Sequence, residues 1–396
     1  MKLSDLDAIH SAGLITEDQR RTIVAHFELD RDSNKLLAIL SVIGAVLVSA
    51  GIILLIASNW DNIPRFVKLA GGLAVLGGAH AGGWFVGRAG RHPLVAEALH
   101  LIGSVMFLAN IALVGQIYHL SSRPPNAILL WLLGIAPLAW ILRSKAQHIL
   151  TLGVLALWLG LELNEHDSVL YFGGEARQLM FYAIVGVALS GLGVLLQRSR
   201  VSEFGPVTEG FGILMLHAAA YPLAIENYYG FAEVTRSAWT ICAIVTALAA
   251  ILLALGALKS SLIPDKQWRW TWAAAQAGVL ALAWVGLLVM YDEAFYESHR
   301  WTGPHWIAAP ALFVFCLVQA QVGLIRRAPW LVNIAMAFIG LHIITAYFQL
   351  FGSMENTGML FVMTGAVLLG LAIYLERKRR SILKRMSGPP QPDPIA

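Results

Sequence analysis

The stretch LLAILSVIGAVLVSAGIILLIAS, residues 36–58, decides the fold of this chain. It carries no charged side chain over its whole length, and a hydrocarbon core roughly 30 Å thick is crossed by a helix of about 20 apolar residues. Lipid offers no hydrogen-bond partners, so such a segment satisfies its own backbone as a helix. Only 13% of the 396 residues are charged, whereas soluble domains carry about 25%. The sequence therefore predicts an all-α polytopic membrane protein.

Comparable apolar runs recur along the chain, separated by short polar connections. Twelve of them are predicted to span the membrane, at residues 36–58, 67–87, 94–118, 126–142, 148–163, 178–197, 209–225, 237–258, 271–291, 306–325, 329–350 and 357–375. The runs at 126–142 and 148–163 are short for a span, so a re-entrant or merged pair there would change the count.

The basic residues are distributed unevenly over this arrangement. Twenty-two of the 28 Lys and Arg side chains fall on one side of the twelve predicted spans. Because positively charged loops stay in the cytoplasm, both ends of the chain are expected there. The same bias explains the net charge of +4 without nucleic acid as a partner. The polar first 35 residues contain no cleavable signal peptide, so the first span is expected to act as its own signal.

Four regions follow from this pattern. Residues 1–35 are predicted to form a short N-terminal cytoplasmic helical hairpin, in which Thr16-Glu17-Asp18-Gln19 is a capping box. Residues 36–150 form an N-terminal membrane region, 151–375 the further transmembrane helices, and 376–396 a basic, then Pro-rich tail expected to be disordered. The basic cluster should attract anionic lipid, although a plain stop-transfer anchor is the favoured interpretation.

The N-terminal region also carries a resemblance. Leu14-Ile15-Thr16-Glu17-Asp18-Gln19 precedes a first span that runs from Gly51 into Asn59-Trp60-Asp61-Asn62-Ile63-Pro64. This combination resembles the bacterial membrane-protein family known as domain of unknown function 2157, over roughly residues 3–150. The resemblance implies a multi-pass bacterial membrane protein. It supplies no activity, substrate or catalytic residue.

The segment Asn59, Trp60 and Asp61 has two interpretations. Trp60 suits the outer interface, and Asp61 or Asn62 suits the cap of the next helix, with Pro64 in its first turn. An interfacial turn is the favoured interpretation, and an outer-face functional site is the alternative.

Ionisable residues inside predicted spans are candidates for a functional site, because they are costly in lipid. Glu97 and His100 share a helix face at spacing i,i+3, so together they could relay protons or bind a cation. Glu97 lies near the cytoplasmic end of its span, where it could instead reach the interface. His217 and His342 lie in the distal half, and a central polar cavity is expected if they converge with Glu97 and His100. Other polar groups in the spans, such as His80 and Glu209, are expected to form single interhelical hydrogen bonds.

The glycines of the second span predict close helix packing. Gly78 and Gly82, and then Gly83 and Gly87, are spaced as small-residue motifs that let two helix backbones approach.

The sequence contains no signal for a cofactor, a bound metal or an ordinary enzyme. It has no phosphate-binding loop, dinucleotide fingerprint, Gly-x-Ser-x-Gly elbow or His-Glu-x-x-His motif, and its two cysteines lie in apolar runs.

Three functional classes therefore remain. A transporter-like, ligand-translocating protein using Glu97 and His100 is placed first. A membrane scaffold or sensor that docks a protein partner through residues 1–35 is the alternative. An intramembrane enzyme acting on lipid-linked substrates at the aromatic outer loops is the third.

Overall fold

A computed structural model describes residues 10–26, 31–58, 64–90, 92–223, 234–259, 262–289, 304–351 and 357–386. Within these ranges the chain forms thirteen helices and no strand. They are α1 (Glu17–His26), α2 (Arg31–Ser58), α3 (Arg65–Arg88), α4 (Pro93–Ile117), α5 (Pro124–Ile141), α6 (Lys145–Asn164), α7 (Glu175–Leu196), α8 (Gly205–Leu223), α9 (Arg236–Lys259), α10 (Lys266–Val289), α11 (Pro304–Ile325), α12 (Pro329–Phe351) and α13 (Thr357–Met386).

Each of the twelve predicted spans falls on one of the helices α2 to α13. Among the described residues, eight helices are long and apolar enough to cross a membrane, namely α3, α4, α5, α6, α7, α9, α10 and α12. Shorter apolar stretches occur in α2, at Ile39–Leu55, and in α11, at Ala309–Ile325. The protein is therefore an all-α membrane protein with several apolar helices. Twelve crossings remain a prediction.

The short runs at 126–142 and 148–163 form two separate helices, α5 and α6. The turn between them contains Arg143 with a φ of 48°, in the left-handed region. Both helices are among the eight long enough to cross.

The N-terminal segment is described only in part. The capping box is present, since the Thr16 backbone N–H donates to the Gln19 side-chain oxygen at 2.9 Å and the Gln19 N–H donates to the Thr16 hydroxyl at 3.3 Å. Gly13, with a φ of +72°, closes the preceding turn. Residues 1–9, which contain most of the first helix of the predicted hairpin, lie outside the described residues.

Residues 1–155 form the first of two compact units. In this unit α4 packs against α2, α3 and α5. The side chains buried between α4, α5 and α6 centre on Trp131, Ile135 and Val154. The buried face of α3 consists of Gly72, Ala79 and Gly83, so small residues bring α3 and α4 close together.

The predicted glycine motifs of α3 are only partly used in this packing. A Cβ on Gly83 would lie 2.9 Å from the His100 ring, and Cβ atoms on Gly82 and Gly87 would make ordinary contacts with Leu99 and Ala96. Gly78 has no heavy atom of a neighbouring element within 4 Å of that position. The interface therefore uses three of the four predicted glycines.

Residues 156–396 form the second unit, which is built around α7 and α8. Most residues of these two helices are buried. Their backbones meet directly, because a Cβ on Gly186 would lie 2.7 Å from the Gly212 carbonyl oxygen. The helices α9 and α10 pack on α7, whereas α11 packs on α8, α10 and α12, and α12 packs on α13. The helix α13 extends to Met386, so the basic run that begins at Arg377 is helical. The Pro-rich residues 388–392 lie outside the described residues.

Candidate functional site

The carboxylate of Glu97, a residue of α4, contacts the beginning of α6. The Ser144 hydroxyl donates to Glu97 Oε1 at 2.5 Å, and the Ala146 backbone N–H lies 3.4 Å from the same oxygen. The first amide groups of a helix have no partner within the helix, and its N-terminal end carries a partial positive charge. Glu97 on α4 therefore caps a neighbouring helix and stabilises its start.

A hydrogen-bonded polar network continues from this cap into the interior of the first unit. The Gln147 N–H donates to the Ser144 hydroxyl at 3.1 Å, and the Ser104 hydroxyl donates to Gln147 Oε1 at 2.9 Å. Trp131 Nε1 then donates to the Ser104 carbonyl oxygen at 2.7 Å. Ser104 and Gln147 are fully buried, so this network ties α4, α5 and α6 together at a depth where unpaired polar groups are costly.

His100 points to a different helix. Its Nδ1 lies 3.1 Å from His80 Nδ1 on α3, and the ring centroids are 5.4 Å apart. A contact of this kind between two imidazoles needs one N–H donor and one bare nitrogen. The half-buried rings of His80 and His100 thus share a single hydrogen, and we call them the imidazole pair.

Each ring of the imidazole pair lies against a glycine of the opposite helix. A Cβ on Gly83 of α3 would lie 2.9 Å from His100 Nε2, and a Cβ on Gly103 of α4 would lie 2.5 Å from His80 Nε2. The sequence indicated His80 only as a single hydrogen-bonding group. The sequence does not indicate its partner, because the two histidines lie 20 positions apart on different helices.

The second unit contains a buried ion pair. Arg326 contacts Glu209 in a bidentate way, Nη1 to Oε1 at 2.5 Å and Nη2 to Oε2 at 2.8 Å. The two side chains are 3% and 0% exposed. Gln197 completes the group, because its Nε2 donates to Glu209 Oε2 at 2.7 Å and its Oε1 accepts from Arg326 Nη2 at 3.3 Å. Arg326 is thus an interior partner of Glu209.

His217 and His342 occur in the second unit within a row of aromatic contacts. His217 Nε2 lies 3.5 Å from Cys316 Sγ, and its ring lies edge-on to Phe338 at 4.1 Å. The Tyr221 ring lies 5.2 Å from that of His342, and its hydroxyl hydrogen-bonds to Thr345. The helices α8, α11 and α12 therefore share a semi-polar interior layer.

The four predicted site residues thus belong to different units, Glu97 and His100 to the first and His217 and His342 to the second. Within the first unit, Glu97 contacts α6 and His100 contacts α3. Asn59, Trp60 and Asp61 lie outside the described residues. In the part of the chain that the structure describes, no group of three or more His, Cys, Asp or Glu side chains is placed to hold a metal ion.

Residues 8–148 match the family described as Predicted membrane protein (DUF2157). The match covers the N-terminal part of the chain and confirms the resemblance predicted from Leu14–Gln19 and the Asn59–Pro64 segment. It contains α1 to α5 and the first residues of α6, and so the cap at Glu97 and the imidazole pair. No curated protein and no solved structure matches the chain.

Proposed function

We propose that this integral membrane protein is a ligand-translocating protein of the bacterial inner membrane, with both termini in the cytoplasm, whose first unit carries the imidazole pair as its working site. The observation that carries the proposal is the 3.1 Å contact between two half-buried imidazoles on adjacent membrane helices. Ionisable groups within spans are costly, and those that occur commonly mark a pathway for a proton or a substrate.

The chemistry of the pair follows from its single shared hydrogen. When a proton is added to the accepting nitrogen, that ring becomes a cation and both Nδ1 atoms carry a hydrogen, so the hydrogen bond is replaced by repulsion between two N–H donors that face each other. The pair thereby couples uptake of a proton to the separation of α3 and α4. Gly83 and Gly103 leave no space for the rings to move inward, so relief of that repulsion requires the helices to shift.

Glu97 has a supporting part in this proposal. It lies one helical turn before His100 on α4. A displacement of α4 would therefore move Glu97 and disturb its hydrogen bond to Ser144 at the start of α6. His217 and His342 are proposed to contribute to the path through the second unit.

The test is a thermal-stability screen of the purified protein against ions, lipids and small metabolites between about pH 5 and 8, the range in which imidazoles titrate. A ligand that binds only the folded state stabilises it, by about 2.7 kcal/mol at 100 times its Kd. We expect a ligand whose stabilisation depends on pH, and we expect His80→Gln and His100→Gln to abolish that dependence. His92→Gln, which removes an exposed histidine just before α4, is the control and should behave as wild type.

An unchanged pH dependence in both pair variants would remove the imidazole pair from the function. Glu97→Gln provides a second readout, because a carboxamide weakens the cap on α6 without removing any imidazole. It is expected to lower thermal stability and to leave the pH dependence of ligand binding in place.

The alternative of a scaffold or sensor would use the N-terminal segment, in which Leu14, in the turn before α1, is 75% exposed. If no ligand in the screen stabilises the protein, a partner of residues 1–35 is the next hypothesis to test. The outer segments required by the third alternative, an enzyme acting on lipid-linked substrates, include 224–233 and 290–303, which lie outside the described residues.

A further inference from the structure

A groove of about 400 Å³ lies between the N-terminal part of α12 and the middle of α13. Its walls are apolar, with Met336 and Ala337 on α12 and Ala372 and Leu375 on α13. One end is polar and is formed by Asn333, Glu376 and Arg379. The groove therefore has an apolar part along the membrane-side length of α13 and a charged part where the basic run begins.

The polar end is organised around Arg379. Its Nε donates to Asn333 Oδ1 at 3.1 Å, and its Nη1 donates to Glu376 Oε2 at 3.3 Å. Glu376 also accepts from Arg380 Nε at 2.7 Å, and these bonds from Arg380 and Arg379 lower the pKa of the Glu376 carboxyl. A guanidinium has five donor hydrogens in a planar fork. The two bonds hold Arg379 at the mouth of the groove and leave donors for an anionic group.

The charge at this end is strongly positive. Arg377, Lys378, Arg379 and Arg380 follow Glu376 directly, and two of them, Arg379 and Arg380, donate hydrogen bonds to its carboxylate. Planar guanidinium groups suit phosphate oxygens in particular. A ligand for this groove thus needs an anionic head and an apolar extension.

The size and shape of the groove select among anionic ligands. A volume of 400 Å³ lies at the lower end of the range for small-molecule sites, about 300–1,000 Å³. Inorganic phosphate would leave the four apolar wall residues uncovered. Basic pockets between membrane helices on the cytoplasmic side are suited to lipid headgroups. A phospholipid provides a phosphate for the polar end and an acyl chain for the apolar walls.

We propose that this groove binds one anionic phospholipid from the leaflet that faces the end of α13, with its phosphate at Arg379 and an acyl chain along Met336, Ala372 and Leu375. The site lies in the second unit and does not depend on the imidazole pair. The lipid-binding proposal can therefore be tested independently of the proposed translocation.

The experiment measures phosphatidylglycerol bound to the purified full-length protein by native mass spectrometry, with phosphatidylcholine and inorganic phosphate as separate arms. We expect phosphatidylglycerol to be retained over phosphatidylcholine, and inorganic phosphate to compete weakly. Arg379→Gln should reduce retention at least tenfold. Arg377→Gln is the matched control, because it removes the same charge from an exposed position that does not line the groove. It should reduce retention by at most about fivefold, the factor that corresponds to about 1 kcal/mol for one cation near a charged surface.

Substitutions that fill the groove without changing its charge test whether the lipid binds in the groove or is only attracted by the basic residues. Ala372→Phe fills the groove and should abolish the preference for phosphatidylglycerol, and Met336→Trp should do the same from the opposite wall if the first variant does not fold. Equal loss in Arg377→Gln and Arg379→Gln, full retention in a folded groove-filling variant, or equal binding of inorganic phosphate would each overturn the proposal.

Discussion

The buried pair of Glu209 and Arg326 shows how a single residue is placed in this protein. Each ion in isolation would cost several kcal/mol to bury, and mutual attraction offsets this only when the geometry is good and the remaining polar atoms are satisfied. The bidentate contact meets the first condition, and Gln197, which contacts both partners, meets the second. The pair joins the end of α11 to the beginning of α8.

Removal of one partner is therefore expected to be much more harmful than removal of both. Arg326→Met leaves the Glu209 carboxylate buried without its cation, and we expect a loss of about 3–5 kcal/mol in the free energy of unfolding. The double variant Glu209→Leu/Arg326→Met buries no charge and should recover much of that loss. Arg327→Met, at the exposed neighbouring position, should change stability by less than about 1 kcal/mol. Unfolding in a mixed-detergent titration measures all three, and a double variant no more stable than Arg326→Met would contradict the argument.

The sequence could identify these residues one at a time but not together. Glu209 stands out as an acidic residue within a predicted span, and Arg326 as a cation after another. Their 117-residue separation gives no signal of contact. The same holds for Glu97, whose i,i+3 spacing to His100 is a property of one helix, whereas its hydrogen bonds go to Ser144 and Ala146 on another. Local spacing predicts which face a residue shares, and the tertiary fold decides what that face meets.

Among the helices of the second unit, α7 and α8 meet backbone to backbone. Gly186 and Gly193 on α7 meet the backbone of α8 near Gly212 and Glu209. Small residues allow such contact. In a bilayer, lipid tails surround a helix as favourably as apolar side chains do, so helices associate through close packing of this kind and not through the hydrophobic effect. The glycine motifs predicted from the sequence lie in α3. The small residues Gly186, Ser190 and Gly193 offered a similar signal in α7.

Two glycine substitutions test whether a glycine matters because another helix packs against it. A Cβ on Gly193 would overlap the backbone of Glu209, so Gly193→Ala forces α7 and α8 apart and should lower stability by about 1–3 kcal/mol. Gly78→Ala places the same methyl group where no neighbouring element lies within 4 Å. It should leave stability unchanged or raise it by up to about 1 kcal/mol through helix propensity. Thermal unfolding of the two purified variants compares them directly, and equal destabilisation would mean that the described α7–α8 contact is not the cause.

For the whole molecule, hydrophobic runs alone located the helices well, because each crossing segment must be apolar and self-bonded. The run at 209–225 shows where this signal weakens. Its helix, α8, is not among the eight that are long and apolar enough to cross, and its buried residues include Thr208, Glu209 and His217. A helix enclosed by other helices faces protein and not lipid, so it tolerates polar groups that a lipid-facing helix cannot. We therefore expect α8 to cross the membrane inside the second unit.

This expectation tests the twelve-span arrangement, which requires α8 to cross. If α8 crosses, Arg200 before it and Arg236 after it lie on opposite sides of the membrane. Single cysteines at these exposed positions, in a chain with Cys242 and Cys316 replaced by Ala, report their side by reaction with a membrane-impermeant maleimide in intact cells. Arg236→Cys should react from outside and Arg200→Cys only after permeabilisation. Ala89→Cys and Ser122→Cys flank α4, a crossing helix in either arrangement, so they must report opposite sides for the assay to be valid. Reaction of both α8-flanking cysteines from one side would show that α8 does not cross, and the twelve-span arrangement, together with the charge bias built on it, would then be wrong.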